Sequence, residues 1–285
     1  MSIAFTKMHG LGNDYLFIDG REHTVDDPAA LSRSMSHRHL GAGADGIILV
    51  LPGEGDAAFT MRIFNADGSE AETCGNGIRC FAKYVYERRM TGADEFIINT
   101  GAGPNRVTLH TEHGRVTSVR SNMGQPRFDR GAIPMAGPPE GQVIHEPLHV
   151  GGETVEVTCV NIGNPHAVLF VDDAKVAPIA GLGPRIERHE AFPNRTNVEF
   201  VSIRDRGNID MRIWERGSGI TMASGSGSCG AALAAMLTDR VDRRVKVHLV
   251  YGALTIEWAD DGNVYQEGPA ESVYEGVWAP ELAAV

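Results

Sequence analysis

Met61-Arg-Ile-Phe64, followed ten residues past its aromatic by Cys74-Gly-Asn-Gly77, recurs 150 residues later as Met211-Arg-Ile-Trp214 and Ser224-Gly-Ser-Gly227. Upstream, Gly12-Asn13 before Tyr15-Leu-Phe-Ile-Asp19 is echoed by Gly163-Asn164 before Ala167-Val-Leu-Phe-Val171. Coincidental glycine-rich turns would not preserve both order and spacing. The chain therefore reads as two related halves, each one supersecondary unit repeated.

Each half reads mostly as strands with one long helix. Branched runs bounded by Gly, Pro, Asn or Asp predict strands at Ala44–Leu51, Ala58–Phe64, Glu95–Thr100, Arg106–His110 and Arg115–Asn122. The second half predicts them at Glu153–Val160, Val198–Ile203, Asp210–Trp214, Lys246–Val250 and Ala253–Trp258. Helices are expected over Pro28–Arg38, Gly77–Arg88 and Gly227–Asp239. The segment Cys229-Gly-Ala-Ala-Leu-Ala-Ala-Met-Leu237 is apolar almost all round, so protein must surround it. The expected fold is α/β (α+β): two pseudo-symmetric halves, each a curved, mostly antiparallel sheet or barrel around a central helix. Residues 1–118 with 270–285 would form the half carrying Cys74, and 119–269 the half carrying Ser224. Similar halves commonly share a site in the cleft between them.

Composition narrows the function. The 285 residues are 42% hydrophobic and 22% charged, which suits a soluble protein with a sizeable core. A net charge of -11 disfavours nucleic acid, whose binding needs clustered Lys and Arg. No charged leader precedes an apolar run and no apolar stretch reaches about 18 residues, so neither signal peptide nor membrane span is expected. Four cysteines in so long a chain do not read as a disulfide scaffold, and the cytoplasm is the default.

Cys74 lies at a predicted helix start, where backbone N–H groups lack internal acceptors and the dipole favours anions. That position should ease ionisation of the thiol below its ordinary pKa of about 8.5. The same amides could grip a substrate carboxylate. Gly225-Ser-Gly227 offers the same device in the second half. A residue from each half flanking an α-carbon would permit stereochemical inversion without a cofactor. Cys80, Cys159 and Cys229 read as structural, and a Cys74/Cys80 metal pair has the wrong spacing for zinc. The phosphate-binding glycine patterns are incomplete.

The segments Lys7-Met-His-Gly-Leu-Gly-Asn-Asp14, Phe64-Asn-Ala-Asp-Gly-Ser69, Cys74-Gly-Asn-Gly-Ile-Arg-Cys80, Gly163-Asn-Pro-His166, Glu215-Arg-Gly217, Glu267-Gly-Pro-Ala270 and Val273-Tyr-Glu-Gly276 resemble the signatures of diaminopimelate epimerases. The resemblance runs from end to end. It implies a homodimer that interconverts LL- and meso-diaminopimelate for lysine and peptidoglycan synthesis, using two cysteines and neither pyridoxal phosphate nor metal. By matching position, Cys74 is one catalytic residue, and the backbone at Gly75, Asn76, Gly225 and Ser226 holds the reacting carboxylate. Asn13, Asn65, Asn164, Asn197, Glu215 and Arg216 fall on substrate contacts, and Gly46 stands where some members carry a glutamine. His166 and Glu215 resemble residues that tune the catalytic pair. Arg216 suits bidentate pairing with the distal carboxylate of the substrate.

Ser224 departs from the pattern, which has cysteine there. A hydroxyl is a far weaker acid than a thiol, and no partner base is evident in the sequence. Proton abstraction from that face should fail while binding survives. Three readings stay open: a Cys→Ser variant of an active epimerase, a one-base relative such as an amino-acid dehydratase or other racemase, or a non-catalytic amino-acid-binding protein.

Overall fold

The computed structural model describes residues 2–279 and divides into two compact units. One takes the chain through Ser121 and again from Gly268; the other runs from Asn122 to Glu267. The first holds β1 (Ile3–Gly10), β2 (Asn13–Asp19), α1 (Pro28–Ser36), β3 (Gly46–Pro52), β4 (Phe59–Asn65), β5 (Glu70–Ala71), α2 (Gly75–Glu87), β6 (Glu95–Thr100), β7 (Gly103–Glu112) and β8 (Arg115–Asn122). The second holds β9 (Glu146–Val150), β10 (Glu153–Asn161), β11 (Pro165–Phe170), α3 (Ile179–Glu187), β12 (Asn197–Asp205), β13 (Asn208–Glu215), β14 (Gly219–Thr221), α4 (Gly225–Leu237), β15 (Arg244–His248), β16 (Ala253–Trp258) and β17 (Val264–Gly268). The chain then adds β18 (Glu271–Trp278), antiparallel to β1. No helix among the described residues is long and apolar enough to cross a membrane.

The duplication is written in the strand pairing. In the first unit β1–β2 is antiparallel, β2–β3 parallel, β3–β4 and β4–β5 antiparallel, β4–β6 parallel and β6–β7 antiparallel. The second repeats this with β10–β11, β11–β12, β12–β13, β13–β14, β13–β15 and β15–β16. Register repeats too: Tyr15 faces Gly46 as His166 faces Asn197, and Ile48 faces Ile63 as Glu199 faces Ile213. Gly12 and Gly163, at φ +98° and +91°, turn the chain into β2 and β11 in a conformation that favours glycine.

Strand alternation places each sheet between two helices. Phe17, Ile48, Met61 and Ile63 join Ile78, Phe81 and Val85 of α2 in one core, while Leu16, Ile18, Ile47 and Leu49 meet Met35 of α1 in another. Each fully buried side chain of this kind contributes roughly 1.5–3 kcal/mol. In the second unit Ala167, Leu169, Val198, Phe200 and Trp214 pack with Leu182 and Ile186 of α3. The apolar helix α4 lies against β10, β11, β12, β13, β15 and β16 and is buried over most of its length, as its composition demanded.

The predicted strands appear, with ends shifted by a few residues. The helices predicted from Gly77 and Gly227 begin at Gly75 and Gly225, because Cys74 and Ser224 serve as their caps. Helix α3 was not expected, since Gly181, Gly183 and Pro184 lower its helix propensity. Packing overrides propensity there: a Cβ at Gly183 would lie 2.6 Å from Trp214 Cβ, so only glycine lets α3 approach β13 so closely.

Candidate active site

In the first unit Cys74 caps α2. Its backbone is extended, at φ -151° and ψ 112°, and its sulfur accepts from the Gly77 N–H at 3.4 Å. Three further groups converge on this cap. The thiol donates to Asn13 Oδ1 (3.4 Å), the Tyr15 hydroxyl donates to the sulfur (3.6 Å), and Asn76 Nδ2 donates to the same Asn13 oxygen (3.3 Å). Asn13 in turn donates to Asp45 Oδ2 at 2.8 Å. Below the turn, buried Arg79 donates to Asn76 Oδ1 (2.7 Å) and to the carbonyls of Gly75 and Pro269 (3.2 Å each). Thus Asn13, Cys74, Gly75 and Asn76 form one bonded cluster.

The expectation of an easily ionised Cys74 needs correction. Burial raises its pKa, and the Gly77 N–H, the Tyr15 hydroxyl and the Arg79 charge offset this only in part. Desolvation outweighs the helix terminus, so the resting sulfur is a thiol. Burial also pushes Tyr15 well above the ordinary phenol value, which keeps its hydroxyl a donor. Cys80, fully buried behind the cap, is pushed up to about 12 and has no chemistry to offer.

Asn65 and Gly46 sit opposite one another at the ends of β4 and β3. Asn65 donates to Ser69 Oγ at 3.0 Å. A Cβ at Gly46 would lie 2.2 Å from the Phe64 carbonyl oxygen, so this backbone admits no side chain there.

The second unit builds the equivalent cap from Ser224, with φ -136°, ψ 124° and its hydroxyl accepting from the Gly227 N–H at 3.2 Å. That is its hydroxyl's sole hydrogen bond among the described residues. Gln266 Nε2 holds the Gly225 carbonyl at 2.8 Å, where the first unit uses Arg79, and Ser226 is half-buried on the first turn. Asn164 and His166 are bonded to each other, Oδ1 to Nε2, at 2.8 Å. The other ring nitrogen lies 2.6 Å from Glu199 Oε1, and both side chains are fully buried. Burial holds the Glu199 carboxyl above the usual carboxylate range against the opposing pull of His166.

Asn197 spans two strands, donating to the Pro165 carbonyl and accepting from the Arg216 N–H, both at 2.9 Å. Glu215 accepts from the Thr221 hydroxyl. Arg216 and Gly217 form the β13–β14 turn. It is secured by buried Glu187 of α3, which accepts from the Gly217 N–H (3.0 Å) and from Trp214 Nε1 (2.7 Å). Arg216 Nη1 meets the Asn194 carbonyl at 3.3 Å. Hence Asn164 joins His166 and Asn197 joins Arg216, while Ser224, Gly225 and Ser226 form the cap.

Sequence reading missed Tyr15, Arg79, Glu187 and Glu199. The duplication held a signal for Tyr15, which occupies the register position of His166. Glu199, inside Val198-Glu-Phe200, looks like an ordinary solvent-facing residue of a strand.

The chain is similar to known proteins over nearly its whole length. The family model for diaminopimelate epimerase matches residues 5–128 and 158–273. A diaminopimelate epimerase of Pelotomaculum thermopropionicum is 51% identical over 274 residues, spanning 95% of this chain and 97% of that one. One of Geobacillus thermodenitrificans is 46% identical over 281 residues, 97% of each. Among solved structures, a phenazine biosynthesis protein of the PhzF family from Bacillus anthracis superposes with a TM-score of 0.69 at 16% identity, covering 98% of this chain and 99% of that one. A probable proline racemase from Agrobacterium radiobacter gives 0.65 at 17%, covering 97% and 93%. These two likenesses establish the fold.

Proposed function

Since the chain belongs to the diaminopimelate epimerase family, a family of isomerases, we propose that it binds diaminopimelate and carries the two-base machinery that interconverts the LL and meso forms. The observation that supports this most is the repeated cap: a side chain at 74 and at 224, each accepting from the third residue of its helix.

In this reading the α-carboxylate is held by the first N–H groups of a helix, which have no intrahelical acceptors. The charge that grows as the α-proton leaves is stabilised by the same dipole. Cys74 exchanges the proton on one face, with Asn13 and Tyr15 orienting its sulfur. Inversion needs a second proton carrier on the opposite face, and position 224 is the residue proposed for it. Arg216 pairs with the distal carboxylate and Glu215 accepts from the distal ammonium, which excludes shorter amino acids by leaving buried polar groups unpaired. No step requires a cofactor.

Ser224 disables the second carrier. Its hydroxyl accepts one backbone hydrogen bond, and among the described residues no side chain is hydrogen-bonded to it to take its proton. The chain is therefore a Cys-to-Ser form of the epimerase site that binds and does not invert at a useful rate. We assign the intact activity to lysine and peptidoglycan precursor synthesis, in a cytoplasmic homodimer.

The test is circular dichroism of LL-diaminopimelate, whose signal falls as the optically inactive meso form accumulates. Ser224→Cys should invert the centre at least about 10²–10⁴-fold faster than the parent, the worth of a positioned general acid–base. If both versions bind without inversion, a binding role replaces the epimerase reading. If dehydration of a hydroxylated amino acid is seen instead, the one-base relative does.

A further inference from the structure

One fully buried carboxyl has no part in that mechanism. Glu199 lies mid-strand in β12, and its Oε2 has no hydrogen-bond partner among the described residues. A buried charge with an orphaned oxygen is costly, so its presence calls for a physical account.

Its placement follows from the strand pattern. Ala167, Leu169, Val198, Phe200 and Trp214 face α3, so alternation sends His166, Glu199 and Ile213 to the face covered by α4. There Gly227 and Gly230, in the first two turns of the helix, make room. A Cβ at Gly227 would lie 2.5 Å from Ile213 Cδ1, and one at Gly230 would lie 2.8 Å from His166 Cγ. The imidazole is thus pressed between Glu199 and the second turn of α4, and both its nitrogens are engaged. Nδ1 meets Glu199 Oε1 at 2.6 Å; Nε2 meets Asn164 Oδ1 at 2.8 Å.

Since Asn164 presents an oxygen, the hydrogen of that second bond must sit on Nε2. A neutral ring with hydrogen on Nε2 accepts at Nδ1, which requires a donor at Glu199. The protonated carboxyl supplies it and leaves Oε2 as a carbonyl-type oxygen, far cheaper to orphan than a charged one. The surroundings agree. The neighbours Glu215 on β13 and Cys159 on β10 are anionic when ionised, α4 carries no charged residue, and the pull that opposes burial at Glu199 comes from the ring itself.

We propose that Glu199 is a positioning residue that acts as a neutral acid. It donates to His166 Nδ1, keeps the hydrogen on Nε2, and so locks Asn164 with its amide nitrogen turned out to donate to the substrate carboxylate. Asn164 Nδ2 has no other partner among the described residues, as a ligand-binding donor requires. Position 48, the register equivalent of 199, is isoleucine, so the device belongs to the second unit alone.

The claim that the substrate receives this donor rests on the diaminopimelate reading; the proton position does not. Two measurements on the chain separate them. The first is the nitrogen-15 signal of the His166 ring without ligand, near neutral pH. Nε2 should be of the hydrogen-bearing type in the parent and in Glu199→Gln, whose amide also donates, and should lose that preference in Glu199→Met. A bare Nε2 in the parent, or a hydrogen-bearing Nδ1 (an imidazolium facing a carboxylate), overturns the proposal.

The second is the dissociation constant for meso-diaminopimelate. Glu199→Gln should bind like the parent, Glu199→Met roughly tenfold more weakly, as for a lost hydrogen bond to a charged group. Glu199→Met with Asn164→Ala should bind no worse than Asn164→Ala alone. Effects that multiply, or a Gln variant as weak as Met, overturn it. If Asn164→Ala leaves binding unchanged, the diaminopimelate reading of the site fails, and the ring signal still decides the protonation of Glu199.

Discussion

The two units share a backbone and differ in what lies under their caps. Beneath Cys74 the strand face is Tyr15 and Ile48, with Arg79 holding the helix turn from inside. Beneath Ser224 the register equivalents are His166 and Glu199, and Cys229 stands at the position of Arg79 with Gln266 taking over the Gly225 carbonyl. The first unit supports its cap directly, through a phenol on the sulfur. The second supports its asparagine through a buried acid and an imidazole. Duplication preserved strand pairing and the capped helix start, since both are set by glycine placement and register. It left the side chains inside that frame free to diverge.

The largest effect should separate the caps themselves. Cys74→Ala should remove α-proton exchange by about 10²–10⁴-fold, whereas Ser224→Ala in the same chain should change it by less than about threefold, because a hydroxyl without a base contributes little. Equal losses would mean that Ser224 is a working base and the asymmetry is false.

Next comes the distal grip proposed for Arg216 and Glu215 of the second unit. Arg216→Lys should raise KM for diaminopimelate in the Ser224→Cys protein by about 10–100-fold, since a point charge replaces a bidentate fork. Steady-state kinetics decide this, and an unchanged KM would remove Arg216 from the site.

A smaller effect probes Tyr15. Its hydrogen bond lowers the Cys74 pKa while burial raises it. Tyr15→Phe in the Ser224→Cys protein should therefore push the thiol further up, moving the ionisation limb of kcat/KM to higher pH and slowing neutral turnover a few-fold, the worth of about one hydrogen bond. A shift to lower pH would contradict the contact.

The smallest concerns Asp14, whose register equivalent is Pro165. Burial works against its carboxylate, but hydrogen bonds from Arg38 and Lys7 prevail and hold its pKa below the usual value. A depressed folded pKa gives stability present above the unfolded value of about 3.9 and lost as pH falls through the folded one. Asp14→Asn should cost no more than about 1.5–3 kcal/mol in urea unfolding at pH 7. The gap from the parent should shrink below about pH 4. A gap that widens in acid would reverse the sign.

Much of this was legible in the chain. Order and spacing of the two motifs revealed the repeat, and the caps followed from glycines placed after a small polar residue. Helix α3 was hidden because its glycine and proline serve packing against Trp214, a tertiary fact that no local pattern carries. Glu199 was hidden because period-two reading assumes one wet face, and α4 covers the face that should have been wet. Cys74 was misjudged electrostatically: a helix start is visible in sequence, the desolvation that opposes it is not.

Under the proposed mechanism one cap carries protons and the other does not, and incubating the unaltered chain with LL- and with meso-diaminopimelate in deuterated water separates the two. Configuration and α-deuterium are read together. Slow deuterium uptake with retention is expected at the centre whose proton faces Cys74, and none at a centre of opposite configuration. Uptake at both configurations, or rapid inversion at either, would show that Ser224 moves protons and would contradict it.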